Sequence, residues 1–213
     1  MNEDPSELLE LLTRATGDPG AWGKLLEQYR DRLRTMLELR MSCRLRGRLD
    51  PSDVIQETCL EAHQRLEEYL ERPTVPFYVW LRGLANQRMM IAWRRHLGTK
   101  LRDAAREISL DQPAFPAATS AALAARLVGQ IATPSSAAVL AEQKLLLQSA
   151  LNELDTIDRE ILILRHFEDL STSETAAVLG ISMPATCNRY VRALARLKSI
   201  FNQLSSPSSE FTP

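Results

Sequence analysis

Glycine is scarce, cysteine is scarcer, and no apolar run is long enough to cross a bilayer. Eight glycines and few β-branched runs, among abundant Leu, Ala, Arg and Glu, favour helix throughout, so the expected fold class is all-α. Cys43, Cys59 and Cys187 are odd in number and far apart, which argues against a disulfide framework and suits a reducing compartment, the cytoplasm. The start is acidic where a secretory signal would be basic, so neither signal peptide nor membrane contact is expected. His63, His96 and His166 fall in different segments. There is no phosphate-binding glycine loop, no zinc-protease motif and no convincing Ser, Cys or carboxylate constellation, so catalysis and a cofactor are not expected. Nor is a metal, because Cys59 and His63, one helical turn apart, offer only part of a zinc shell.

Net charge is also nearly absent, at −1 over 213 residues, but it is unevenly spread. Residues 1–71 carry −5 and residues 72–106 carry +7; residues 107–144 carry −1, residues 145–174 carry −5 and residues 175–213 carry +3. Two basic islands among acidic segments point to two nucleic-acid contacts separated by surfaces for a protein partner.

The sharpest local signals lie between Leu170 and Phe201. Ser171, with Glu174 three residues on, is a capping box and predicts a helix over about 172–179. Gly180 can take the left-handed conformation that closes it, and Ser182 caps a second helix with Pro184 in its first turn. On the second helix Tyr190, Ala193, Leu194, Leu197 and Phe201 share a side expected to pack, while Asn188, Arg189, Arg192 and Arg196 line another. A helix-turn-helix of this kind fits the major groove. Its first residues, Ser182 and Met183, would lie near base edges and its arginines near phosphates.

Towards the N-terminus, residues 5–16 and 21–39 read as amphipathic helices about the turn Gly17-Asp18-Pro19-Gly20, with Trp22, Leu25, Leu26, Tyr29 and Leu33 as core. A short basic run follows from Arg40 to Arg48. Asp50 as N-cap, Pro51 at the first helical position and Asp53 in a box-like arrangement predict one helix over 51–70. Ile55, Cys59, Ala62, Leu66 and Tyr69 form its buried stripe. Asp53, Glu57, Glu61, Gln64 and Glu68 recur opposite, with Gln56 beside them. The prolines in LERPTVP, residues 70–76, predict a stiff exposed loop carrying Arg72 and Thr74.

Helix resumes over 77–96, with Phe77, Trp80, Leu81, Leu84 and Ala85 packing and Arg82, Arg88, Arg94 and Arg95 making other faces basic. Tyr78 and Trp93 are open between core and stacking on unpaired bases. Residues 110–136, rich in Ala, Ser, Thr and Pro, read as a linker. Helices are expected over 137–154 and 156–167, the latter capped by Asp155 with Ile157, Ile161 and Leu164 inward. The end has the composition of a disordered tail. The resulting division is 1–106, a linker over 107–136, a second helical domain over 137–204 and a tail over 205–213.

Three stretches, residues 50–69, 77–95 and 151–197, together resemble a bacterial RNA polymerase sigma factor of the small extracytoplasmic function (ECF) type. The resemblance implies a sigma2-like bundle and a sigma4-like helix-turn-helix domain. It implies binding to core RNA polymerase through the β′ clamp helices and the β flap, and transcription initiation at promoter DNA for a stress or envelope-signal regulon; it leaves room for an anti-sigma factor. Asp53, Gln56 and Glu57 match the family's acidic D-x-x-Q-E pattern for polymerase binding, and Glu61 extends it. The loop over 71–76 matches the segment that captures a flipped base of the minus-ten element. With it go Arg72, Thr74, Tyr78, Arg82, Arg88, Trp93, Arg94 and Arg95 as expected minus-ten contacts. Ser182, Met183, Asn188, Arg189, Arg192 and Arg196 are the expected minus-thirty-five contacts. The sequence departs from the family's commoner residues at His63, Gln87, Ile91 and Thr186. Two other readings stand beside this one. The first is a free-standing helix-turn-helix regulator; the second is a recombinase, for which the N-terminal half lacks the strands of a catalytic α/β domain.

Overall fold

Helix caps written into the sequence divide the chain into its elements. A computed structural model describes residues 5–41, 49–97, 124 and 137–205, and among these there is no β-strand. The chain splits into two compact units, residues 1–116 and 117–213. The basic run over 42–48, the linker apart from Ala124, and residues 206–213 of the tail lie outside the described residues.

In the first unit α1 (Pro5–Ala15) and α2 (Pro19–Arg40) meet at the turn the sequence predicts. The Asp18 carboxylate accepts the Gly20 N–H at 2.8 Å, and Pro19 starts the helix where its missing N–H costs nothing. Leu25, Tyr29, Leu33, Met36 and Leu37 are buried along α2, which packs on α1, α3 (Pro51–Gln64) and α5 (Phe77–Leu97). At the start of α3 the Asp50 carboxylate accepts the N–H of Ser52 at 2.7 Å. That cap closes one residue earlier than the expected box, so the Asp53 carboxylate is left exposed.

The single helix expected over 51–70 is two, α3 and the short α4 (Leu66–Glu71). At Arg65 the backbone N–H is shared between the carbonyls of Glu61, at 3.1 Å, and Ala62, at 3.3 Å, which tightens the turn and breaks the α-helical register. The expected stripe survives the break, with Ile55, Ala62, Leu66 and Tyr69 buried and Cys59 partly so.

An aromatic cluster holds α2, α4 and α5 together. Tyr29 lies 5.5 Å from Phe77 and 5.8 Å from Tyr78, and Tyr69 lies 5.7 Å from Phe77 and 4.7 Å from Trp80. The Tyr69 hydroxyl donates to the Val75 carbonyl at 2.9 Å, which fastens the proline loop to the cluster.

The second unit comprises α6 (Ala137–Glu153), α7 (Thr156–His166), α8 (Thr172–Leu179) and α9 (Met183–Ser205). The capping box forms in both directions: Ser171 Oγ accepts the Glu174 N–H at 3.2 Å, and the Glu174 carboxylate accepts the Ser171 N–H at 2.7 Å. Gly180 closes α8 at φ 65°, a left-handed conformation that glycine adopts without a Cβ penalty. Four consecutive buried residues, Ile161 to Leu164, make α7 the centre of the unit, contacted by both α8 and α9.

Two expected core positions are corrected. Ile157 is exposed on the outer side of the first turn of α7, whose inward position is taken by Asp158. Leu194 is also exposed. The buried line of α9 runs through Thr186, Ala193 and Ile200, seven residues apart, and so is rotated from the side the pattern suggested.

Candidate functional site

On the outer face of α3, Asp53, Gln56 and Glu57 are exposed along one side, as their spacing predicts. Glu61 departs from this face. Its side chain is 16% exposed and its carboxylate takes Arg88 Nε at 2.6 Å, with Arg65 at 3.4 Å. Glu57, whose side chain is 54% exposed, lies 4.0 Å from Arg88. Glu61, expected at the polymerase, and Arg88, expected at the minus-ten element, bind each other here and join α3 to α5. The sequence reading missed Leu60, an exposed leucine three residues past Glu57. Its signal was an apolar residue on a polar face.

The basic helix divides in the same way. Tyr78 and Arg82, expected to reach DNA, are each 2% exposed. Tyr78 stacks on Tyr29 while the Arg32 guanidinium sits 3.7 Å over its ring, so neither side chain reaches a nucleic acid. What remains exposed is Arg72 and Thr74 on the proline loop and Arg94 and Arg95 near the far end of α5, with Trp93 half-buried beside them. The helix rise separates the two groups by about 25 Å, so one strand touching both spans several nucleotides.

On α9, Ser182 is the cap, its Oγ accepting the Ala185 N–H at 3.4 Å. Met183, Asn188 and Arg192 are exposed. Arg189, expected at the minus-thirty-five element, donates through its guanidinium to the Asp158 carboxylate at 3.1 Å and lies 4.0 Å from Asp155. Arg196 is exposed but has Asp155 at 3.8 Å. Among the described residues Arg192 alone of these three makes no ion pair. Val191 was missed. At 63% exposure it shares a groove with Ile181, Asn188 and Arg192, an apolar side chain where the pattern predicted only charge.

A histidine also touches the reading helix. The His166 Nε2 and the Tyr190 hydroxyl share a hydrogen bond of 2.8 Å. Burial, and then the Arg165 guanidinium, hold the imidazole below its ordinary range, against a weaker pull upward from Asp169. The unfolded chain therefore binds this proton more readily than the folded one. The His166 contribution to stability is complete above the ordinary value of about 6.5 and is lost as pH falls below it. Thermal melts at mildly acidic and at neutral pH should show this loss in the wild type and a smaller one in His166→Gln; equal losses would rule it out.

Among the described residues no group of three His, Cys, Asp or Glu side chains is placed to hold a metal ion. Burial pushes the Cys59 thiol up, and His63 lies against the Trp22 ring at 5.2 Å. No helix among the described residues is long and apolar enough to cross a membrane.

Residues 144–197 match the family described as Sigma-70, region 4. Over 182 residues the chain is 34% identical to the ECF RNA polymerase sigma factor SigD of Mycobacterium tuberculosis, covering 85% of this chain and 77% of that one. It is 28% identical over 208 residues to the RNA polymerase sigma factor CnrH of Cupriavidus metallidurans, covering 95% and 97%. The solved structure of CnrH in complex with the cytosolic domain of CnrY is similar with a TM-score of 0.52 and 25% identity, over 93% of this chain and 98% of that one.

Proposed function

Because the chain belongs to the ECF family of RNA polymerase sigma factors, we propose that its exposed surfaces divide the work of initiation between the two helical units. The protein binds core RNA polymerase and directs promoter recognition, strand opening and transcription initiation. Residues 1–106 hold the polymerase and the minus-ten element, residues 137–204 read the minus-thirty-five duplex, and residues 107–136 connect them. The polymerase supplies the chemistry and this chain carries no catalytic step, working in the cytoplasm beside its partner. CnrH was solved with CnrY bound, which supports an anti-sigma partner for this chain too.

The observation that carries the reading is the arrangement of α9, capped by Ser182 and presented by a closed helix-turn-helix, with Asn188 and Arg192 outward. Asn188 suits adenine in the major groove and Arg192 suits phosphate. Arg72, Thr74, Trp93, Arg94 and Arg95 are assigned to the opened minus-ten strand, and Asp53, Gln56 and Glu57 to the polymerase.

The deciding experiment is run-off transcription from the protein's own genomic DNA with core polymerase, with and without the chain. Defined new start sites appear only when both are present. Tight, sequence-specific duplex binding by the chain alone, with no association with core, would instead establish a free-standing regulator. Within the holoenzyme, Arg192→Ala should weaken binding similarly across sequences and lower the salt slope by about one ion, whereas Asn188→Ala should change base preference. A salt series on two unrelated duplexes checks this, and an unchanged slope removes Arg192 from the phosphate contacts.

A further inference from the structure

Resting on the minus-thirty-five reading of α9, we infer that Arg189 is a positioning residue: its ion pair with Asp158 sets the rotation of the recognition helix, and Arg189 does not bind DNA. The guanidinium donates to the Asp158 carboxylate at 3.1 Å, and the two side chains are 30% and 10% exposed. Asp158 is held in turn, since its backbone N–H donates to the Asp155 carboxylate at 2.7 Å in the cap of α7. A capped helix start, anchored in the most buried helix of the unit, thus grips one point on the reading helix.

That grip is needed because of what else touches α9. Near its reading end the buried residues are Thr186 and Ala193, both small. Small side chains set how closely two helices approach but resist rotation weakly, since they interdigitate little. The large buried anchor, Ile200, comes two turns past Ala193. A charged hydrogen bond is directional, so the Asp158–Arg189 pair fixes the angle at which Asn188, Val191 and Arg192 face outward. Tyr190, half-buried, adds ring contacts to His166 at 5.5 Å and to the Arg165 guanidinium at 5.6 Å, and its hydrogen bond to His166 is a second directional tie at a more exposed edge. A phosphate reaching for Arg189 would share a guanidinium that is 30% exposed and already oriented by the nearly buried Asp158 carboxylate.

The test uses the holoenzyme on a promoter recovered from the protein's own genomic DNA, and on the same fragment with its minus-thirty-five segment scrambled. The readout is the ratio of the two affinities, together with the salt slope. Unfolding of the second unit alone would also lower the ratio, so a melting curve of each variant accompanies it and only variants whose second unit stays folded are compared. Arg189→Gln and Asp158→Asn are each expected to lower the ratio about tenfold, in the same direction, with an unchanged slope. The double variant leaves no unpaired buried charge and keeps an amide hydrogen bond, so it should stay folded and recover at least threefold over either single variant. Two results overturn the inference. One is a rise in affinity for Asp158→Asn while Arg189→Gln falls on both fragments with a slope lower by one, which makes Arg189 a phosphate ligand. The other is a double variant no better than Arg189→Gln. A wild-type chain that directs no initiation would sink the sigma factor reading itself, and this inference with it.

Discussion

Truncating Tyr29 to alanine is expected to cost the first unit about 3–5 kcal/mol, a large fraction of the stability of an ordinary domain. The ring is 2% exposed and lies between Phe77 and Tyr78, so its removal leaves a cavity shared by α2 and α5. Rigid neighbours collapse into such a space only in part, which is why the loss exceeds the transfer free energy of the ring alone. Tyr29→Phe keeps the packing and should cost much less. Urea unfolding of the full chain, followed by tryptophan fluorescence from Trp22, Trp80 and Trp93, measures both, since all three tryptophans lie in the first unit. The first transition should move to lower urea with its slope kept. A loss below about 1 kcal/mol would mean that the cluster is not the keystone of the unit. The consequence reaches function through Tyr69, which touches Phe77 and holds the proline loop by its hydroxyl. A loosened cluster frees the loop that carries Arg72 and Thr74. In variants mild enough to fold, minus-ten selectivity should therefore fall before minus-thirty-five selectivity does.

Reversing the charge at Glu57 should weaken association with core polymerase by roughly tenfold to a hundredfold, more strongly at low salt. Glu57 is more than half exposed and only marginally engaged by Arg88, so a lysine there faces outward and leaves the unit folded. Glu61→Lys is the instructive contrast. It places a cation against Arg88 and Arg65, and its first effect is on the fold, not on binding. Pull-down of core by each variant, with a melting curve for each, distinguishes the two outcomes. If Glu57→Lys binds core like the wild type across the salt series, the acidic face of α3 is a solvated surface and the polymerase docks elsewhere.

Most of the element boundaries were legible because the signals that set them are local. Ser171 reaches Glu174, Asp155 reaches Asp158 and Asp18 reaches Gly20, all within a turn, so each cap is complete in a few residues of sequence. Gly180 needs nothing beyond its missing side chain. The split at Arg65 was not legible, since the register shift depends on a shared backbone hydrogen bond that no residue type announces.

The division of labour among the charged residues belongs to the tertiary structure alone. Periodicity places Arg189, Arg192 and Arg196 together on α9, and it cannot say that Asp158, 31 residues earlier, will take one of them. It likewise groups Glu57 with Glu61, and only the packing of α3 on α5 brings Arg88, 27 residues away, to the second. Tyr78 and Arg82 looked available because neighbouring arginines are, and α2 covers Tyr78 from a part of the chain that the local pattern does not contain. Sequence determined which residues carry charge, which helices they lie on and which family they belong to. Which charges remain for a partner was decided when the helices packed, because an ion pair depends on distances of a few ångströms between segments far apart in the chain.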